Sequence, residues 1–539
     1  MESTGTYSEL NNQWKSTCRL LLGTDVGELA DYKDWLMELN NPRFVRKSSV
    51  SENEVAFASS EFCDSAKFIG MGEIDFNKKF ETLTINEIKD IDSLLGSLSE
   101  RFSYCGNIIL GNSKFVEKSS NVSNSFFVLD SVKIDSCKNI AYSQYLRLCE
   151  NVFGTNEGGE GRFCIRCSIL FKNTRCFELW NSPVCSDSYY SYGLENCREA
   201  FFSFNAVGKS HLIGNLTLPK DKYLAIKQKL LFEISERLIR DKRLPSLMGL
   251  ITGAEPNYKE ATAALGGTTN TEIPKDKKII SDSFSKTSAL IFGKPLSGDI
   301  DDYAEWLSAH VVVPHTIPSV LSGKPVPMSK WPGLSQIPPN RVVTYSEALE
   351  LAEKLQMSEQ DAEQISLNSA PHTLGRIAYF TPEHMVGTND NLIECQWGST
   401  AANCYRSVIC VYSKNCAYSS WPRSSEYLFG CGIVFESGFS MKCYDSVKLT
   451  RCLEVDGGRD CADTYFSHNV EGLSQCAFCF NTKSKRYAVG NAEIGQDKFA
   501  GFKKMIQEWA IDELERKKKV GLSIYDIGCM VNQFQNPRH

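Results

Sequence analysis

A long internal repeat constrains the fold of this chain more than any other feature. Residues 167–215 align with residues 443–491 at one constant offset and without a gap. A shorter match places residues 31–36 against 302–307, near the start of each half. Self-similarity of this kind is typical of duplicated structural units. The sequence therefore predicts two tandem, homologous units.

The unit boundaries follow from the repeat and from local composition. A chain of 539 residues exceeds what one hydrophobic core usually serves. We predict a first unit at 13–250, a linker at 251–284 and a second unit at 285–539. Within the first unit we expect helices within 28–102, a Cys-rich β part at 104–215 and a terminal helix at 220–242. Within the second we expect a Pro-rich arm at 311–341, a helix at 344–365, a Cys-rich β part at 379–491 and a terminal helix at 498–519.

The Cys-rich parts consist of short aromatic and β-branched runs broken by Asn, Ser, Asp and Gly, which is typical of strands and turns. The fold class is α+β, and we favour a parallel β-solenoid on which helices pack, with a β-sandwich as the alternative. Evenly spaced cysteines suggest stacked rungs, each with a small apolar residue at the same inward point. The predicted structural core is Cys167, Cys176, Cys185, Cys443, Cys452 and Cys461.

Twenty-one cysteines are present, an odd number that excludes complete internal pairing. We interpret most of them as buried packing thiols, because a free cysteine behaves as a small hydrophobe. Two CxxC pairs, Cys164/Cys167 and Cys476/Cys479, offer a zinc or redox alternative. Each pair stands alone in its half and neither survives the duplication. The prediction is therefore that there is no metal or other cofactor.

Charge and terminal sequences restrict the partners and the compartment. The formal net charge of −6 does not favour binding of nucleic acid through bulk charge. No apolar run reaches membrane-spanning length, and residues 1–12 lack the pattern of a secretory signal. We expect a cytoplasmic or particle-associated protein.

Acidic residues recur at matched positions in the two halves: Asp187, Glu195, Asp463 and Glu471. Paired carboxylates cleave glycosidic bonds in many enzymes, so these four are the alternative catalytic candidates. Neighbouring rings would then stack on sugars: Tyr189, Tyr190, Tyr465 and Phe466. The simpler interpretation, which we favour, is that the acids satisfy turn amides.

Residues 209–215 and 485–491 each form a strand-like run with a Lys at its start and Gly-Asn at its end, followed by a Lys-rich helix. This pattern resembles a motif of uncharacterised cysteine-rich repeat proteins of environmental bacteria and phages. In that motif a cysteine stands where this chain has Leu212 and Ala488. The resemblance covers at most the Cys-rich parts with their terminal helices. It implies no activity and no functional residue.

The functional prediction is a structural or assembly protein that forms an ordered multimer, of the kind associated with virions or shells. Its partners would be copies of itself and other structural proteins. Because no catalytic constellation recurs, the sequence does not favour an enzyme. The alternative is a carbohydrate-binding or carbohydrate-cleaving protein on a β-solenoid scaffold.

Overall fold

A computed structural model describes residues 5–84, 89–266 and 275–529 of the chain. It contains helices and strands in two similar halves. The helices are α1 (Thr6–Leu22), α2 (Lys33–Met37), α3 (Ile91–Leu98), α4 (Lys220–Asp241), α5 (Leu247–Thr252), α6 (Tyr258–Ala264), α7 (Lys278–Phe292), α8 (Ala304–Ser308), α9 (Tyr345–Lys354), α10 (Glu359–Gln364), α11 (Ala370–Leu374) and α12 (Gln496–Lys517).

The strands of the first half form a hairpin, a short parallel pair and one 16-stranded sheet. They are β1 (Phe44–Lys47), β2 (Glu54–Phe57), β3 (Lys67–Gly70), β4 (Ser103–Gly106), β5 (Ile109–Leu110), β6 (Lys114–Glu117), β7 (Ser120–Ser123), β8 (Phe126–Leu129), β9 (Val132–Asp135), β10 (Lys138–Ala141), β11 (Gln144–Arg147), β12 (Glu150–Phe153), β13 (Asn156–Gly159), β14 (Arg162–Ile165), β15 (Ser168–Phe171), β16 (Thr174–Pro183), β17 (Ser186–Tyr192), β18 (Arg198–Phe201), β19 (Ser210–Ile213) and β20 (Leu216–Thr217).

The second half has a corresponding hairpin and a 17-stranded sheet. Its strands are β21 (His315–Pro318), β22 (Pro325–Met328), β23 (His384–Val386), β24 (Asp390–Ile393), β25 (Trp397–Ser399), β26 (Ala402–Tyr405), β27 (Ile409–Val411), β28 (Lys414–Ala417), β29 (Trp421–Arg423), β30 (Glu426–Phe429), β31 (Ile433–Phe435), β32 (Gly438–Tyr444), β33 (Ser446–Val447), β34 (Leu453–Arg459), β35 (Ala462–Glu471), β36 (Ser474–Ala477), β37 (Phe480–Lys483), β38 (Arg486–Val489) and β39 (Ala492–Glu493).

In each large sheet a continuous segment of the chain coils into a parallel β-solenoid. Strands pair with the strand one coil further on, as β10 does with β12 through the register Lys138↔Glu150, so one coil takes 12 residues. Backbone φ is positive at about every third residue, for example Lys118, Asn121 and Asn124. Four corners per coil result, and the coil has four short sides. Because left-handed backbone disfavours side chains with a Cβ, packing within the coil must hold these corners in place.

The coil length corrects the predicted stacking of the cysteines. Cys167, Cys176 and Cys185 are nine residues apart, so in a 12-residue coil they lie on different sides and not at one inward point. Cys176 instead stacks on Cys164, its register partner in the preceding coil. All six predicted core cysteines are buried inside the coils. Burial raises the pKa of the Cys176 thiol well above its usual value.

Serine and cysteine recur at inward positions one coil apart, where their hydroxyl and thiol groups form hydrogen bonds with the backbone of the corners. Ser131 Oγ accepts a hydrogen bond from the backbone N–H of Ser143 at 3.1 Å and donates to the carbonyl oxygen of Leu129 at 2.8 Å. Cys149 does the same with sulfur, accepting from Gly161 N and donating to Arg147 O, both at 3.3 Å. Serine and cysteine therefore satisfy corner amides that would otherwise be buried without partners.

A substitution series at Cys149 tests this column. Cys149→Ser is expected to change the free energy of unfolding by less than about 1 kcal/mol, because a hydroxyl can make both hydrogen bonds. Cys149→Ala should destabilise by about 1–3 kcal/mol, since the Gly161 amide loses its acceptor. Urea unfolding of the two variants measures the difference. A serine variant less stable than the alanine variant would contradict the role assigned to sulfur.

The structure places helices and strands in the predicted flanking segments. The terminal helices are α4 and α12, and the Pro-rich arm forms the hairpin β21–β22. The helix expected at 344–365 is divided into α9 and α10. In the region 28–102, where helices were expected, α3 lies near the end, and residues 85–88 lie outside the described part. The segment predicted as a linker contains α6 and the start of α7.

Each solenoid is covered at its last coils by a segment of the other half, called here the crossing segment. It comprises residues 55–84 and 89–104 in the first half and residues 326–383 in the second. Asn205 Nδ2 donates to Tyr379 O at 2.8 Å, and the matching Asn481 Nδ2 donates to Ser103 O at 2.7 Å. Gly214 leaves no room for a Cβ, which would lie 2.6 Å from Met357. Two large hydrophobic cores result, and each combines one solenoid's outer face with the crossing segment of the other half.

One disulfide reinforces this exchange. Cys63, in the crossing segment of the first half, is bonded to Cys529, which follows α12 of the second half. Beside it, Tyr104 Oη donates to Ile524 O at 2.7 Å. The other 19 cysteines are free and buried. The exchange is therefore fixed covalently at one of its two junctions.

Candidate functional site

Three of the four predicted acids form ion pairs along the outside of the coils. Both carboxylate oxygens of Asp187 lie 2.6 Å from Arg175, one coil earlier. Asp463 lies 3.3 Å from Arg451, and Glu471 lies 2.8 Å from Lys483. Eight residues of a 12-residue coil separate Asp187 from Glu195, so those two carboxylates lie on different sides. The arrangement is one of rung-to-rung ion pairs and not of two acids facing one substrate.

The aromatic residues considered as sugar platforms are all buried: Tyr189, Tyr190, Tyr465 and Phe466. Tyr189 stacks on Phe201 with ring centroids 5.2 Å apart, and its hydroxyl donates to Leu21 O at 3.0 Å. Their faces are occupied by protein, so no ring of this set is available to stack on a ligand.

The CxxC cysteines lie inside the solenoids. Cys164, Cys167, Cys476 and Cys479 are all fully buried. Within the described residues, no group of three or more His, Cys, Asp or Glu side chains has the arrangement of a metal site. None of the described helices is long and apolar enough to cross a membrane.

A buried ion pair is a polar feature that the two halves share. Arg166 Nε lies 2.6 Å from Glu178 Oε1, and both side chains are fully buried. Arg166 also donates to Trp35 O and lies over the Trp35 ring, 4.8 Å from its centroid. The second oxygen of Glu178 accepts from Trp180 Nε1 at 3.0 Å and from Leu247 N at 3.1 Å.

The second half repeats this arrangement with lysine in place of arginine. Lys442 Nζ lies 3.6 Å from Glu454 and donates to Trp306 O at 2.8 Å. Glu454 Oε2 accepts from Ile524 N at 2.6 Å. Burial lowers the pKa of Lys442 and raises that of Glu454. In each half the pair therefore joins the coil, the repeated tryptophan helix and the segment after the terminal helix.

The ion pair escaped the sequence analysis, although a signal for it was present. Arg166 and Glu178 match Lys442 and Glu454 at the offset of the repeat, with charge kept but one residue type changed. A comparison restricted to identical residues misses such a pair. Every polar atom of the two carboxylates is engaged by protein, so the pair has the surroundings of a structural link.

A small polar cavity is the second feature of note, at the junction of the first solenoid with the crossing segment of the second half. It has about 10 Å³ of space for the centre of a water molecule. The polar residues that line it include Asn181, Glu195, Asn205, Glu383 and His384. Three buried atoms of this set lack hydrogen-bond partners in the described structure: Asn181 Oδ1, Asn205 Oδ1 and His384 Nε2.

Hydrogen bonds fix the orientation of both amides. Asn205 Nδ2 donates to a backbone carbonyl, so its Oδ1 is the atom left for the cavity. Tyr192 donates its hydroxyl to Thr381 O at 2.8 Å and so accepts from Asn181 Nδ2 at 3.3 Å. Burial raises the pKa of Glu383 to about 7 and lowers that of His384 to about 4. The histidine is consequently neutral near pH 7.

Comparisons with protein-family models, with curated proteins and with solved structures give no match. The resemblance to cysteine-rich repeat proteins therefore stays a prediction.

Proposed function

We propose that this protein is a structural building block that associates with copies of itself into an ordered multimer. The observation that carries the proposal is the exposed first coil of the first solenoid. Strand β6 is the end of its sheet and pairs only with β8 among the described residues. Phe115 on this strand is 51% exposed, and Phe126 on the adjacent β8 is 36% exposed. Unpaired edges with apolar side chains are sites of strand association.

The sequence of β6 supports a second copy as the occupant of this edge. An antiparallel pairing of two β6 strands about a two-fold axis at Phe115 would set the exposed Phe115 side chains of the two copies side by side on one face. Apolar pairs across antiparallel strands are stabilising, and two-fold dimers use one surface twice.

The second solenoid shows how an equivalent edge is covered within the chain. Asn391 on β24 accepts from Asp276 N at 2.8 Å and donates to Asp276 O at 2.9 Å. The Asn391 side chain at this edge thus has a partner within the chain, whereas the corresponding residue on β6, Phe115, is exposed. A cleft of about 280 Å³ lies beside β6, between β1–β2 and the first coil, and includes Arg43 and Lys118. Assembly in the cytoplasm or on a particle, with other structural proteins, belongs to the same proposal.

Replacing Phe115 tests the proposal. Light scattering coupled to size-exclusion chromatography should show a multimer for the wild type. Phe115→Asp should weaken association at least tenfold, because it places a charge in an apolar contact. Phe232→Asp is the matched control, since Phe232 is 65% exposed on α4, away from this edge. A wild type that stays monomeric at high concentration would refute self-association, and a multimer unaffected by Phe115→Asp would refute this edge.

A further inference from the structure

The second half contains an internal counter-ion at a position where the first half has none. Lys483 Nζ lies 2.8 Å from the carboxylate of Glu471. Beside this pair, Asn469 Nδ2 donates to Asn481 Oδ1 at 3.0 Å. The carboxylate and the amide oxygen therefore both have partners supplied by the chain.

The corresponding positions of the first half lack both partners. Val207 stands where the second half has lysine, and Gly193 stands where it has asparagine. Glu195 and Asn205 are retained, but among the described residues no base forms an ion pair with Glu195. A Cβ on Gly193 would lie 2.4 Å from Asn205 Oδ1, so the glycine keeps the space in front of that oxygen open.

A second carboxylate has been added at the same place. Glu383 lines the cavity at a position where the offset of the repeat puts Asn107 in the first half. One of its oxygens accepts from Tyr345 N at 3.0 Å. No ion pair of Glu383 occurs among the described residues either. The first half thus differs from the second in three ways: it lacks the amine, it lacks the amide and it has an additional carboxylate. All three differences favour binding of a cation in the first half.

We propose that this cavity binds one hard metal cation through oxygen, and that Ca²⁺ is the ion that suits it best. The carboxylates of Glu195 and Glu383 and the amide oxygens of Asn181 and Asn205 are the ligand types that Ca²⁺ takes. Two carboxylates match the charge of a divalent ion. The space admits one water-sized centre, which suits an ion and excludes an organic ligand.

The donor set explains why this site differs from the usual metal clusters of His, Cys, Asp and Glu. No such cluster of three occurs in the described residues, whereas half of the ligands proposed here are amide oxygens. Unpartnered oxygens that are buried carry a desolvation penalty, which a bound cation would remove. The inference does not depend on self-association of the protein.

Calorimetric titration of chelator-treated protein with CaCl₂ tests the site, with NaCl at equal ionic strength as the blank. We expect saturable binding of one ion per chain, and a rise in Tm of roughly 2 °C at a hundredfold excess over Kd. Glu383→Gln keeps the side-chain shape and should weaken binding by about tenfold or more.

A double variant introduces the asparagine and lysine of the second half at the corresponding positions of the first half. Gly193→Asn with Val207→Lys should abolish the binding and the Tm shift, because an amide and an amine then occupy the space. Glu471→Gln, at the second-half position that corresponds to Glu195, should leave both intact. Absence of saturable Ca²⁺ binding in the wild type would overturn the proposal, as would full binding retained in both Glu383→Gln and the double variant.

Discussion

Glu178→Gln is expected to lower the free energy of unfolding by about 2–3 kcal/mol, because it removes the buried counter-ion of Arg166 and leaves the guanidinium only its ion pair with the partly exposed Glu38. Glutamine keeps one oxygen, so either Arg166 Nε or the donors Trp180 Nε1 and Leu247 N lose their acceptor. Chemical unfolding followed by far-UV circular dichroism gives the value. Glu454→Gln should behave alike in the second half, since Glu454 faces Lys442 and Ile524 N.

The matched control is the exposed pair on the outside of the same coils. Asp187→Asn removes its ion pair with Arg175, whose side chain is 39% exposed, and should change stability by less than about 1 kcal/mol. If Glu178→Gln and Asp187→Asn had equal effects, the buried pair would not be the structural link described here.

Glu157→Gln is expected to stabilise the protein at pH 8.5 by on the order of 3 kcal/mol and to have little effect at pH 5. Glu157 is buried at the boundary between the halves, where Trp331 Nε1 donates to it. Burial raises the pKa of this carboxyl from 4.5 to about 8. The folded state therefore holds the proton more tightly than the unfolded state, and stability falls as the pH rises from about 4.5 to 8.

Glutamine avoids that loss because it is neutral at every pH and still accepts from Trp331. Thermal unfolding of both proteins at the two pH values measures the effect. Glu160→Gln, whose side chain is 41% exposed, is the control and should change Tm little in both measurements. A gain from Glu157→Gln of equal size at pH 5 and 8.5 would show that charge burial is not the cause.

The duplicated units and their terminal helices could be predicted from the sequence, because both depend on local patterns that repeat. The coil length could not. Identical cysteines at nine-residue spacing masked the 12-residue register that pairs Cys164 with Cys176. In a four-sided coil any inward corner accepts a small residue, so residue type alone does not reveal the period.

Contacts between the halves left no local signal at all. Asn205 and Tyr379 lie far apart in the sequence, and nothing in either segment indicates the other. The candidate cation site was hidden for the same reason, since Glu383 comes from the crossing segment and Glu195 from the solenoid. Asn469 and Lys483 become informative only when the folded halves are compared.

Because the crossing is reciprocal, the two halves of this single chain are arranged like the two subunits of a domain-swapped dimer. The crossing segment of each half packs on the last coils of the other half, and the last coils of each half are covered by the other half's segment. We expect neither half to fold independently. Either half alone would have a crossing segment without a packing partner and a solenoid whose last coils are uncovered. The peptide between the halves acts as a tether that sets their effective concentration, while the Cys63–Cys529 bond would hold them together even if that tether were cut.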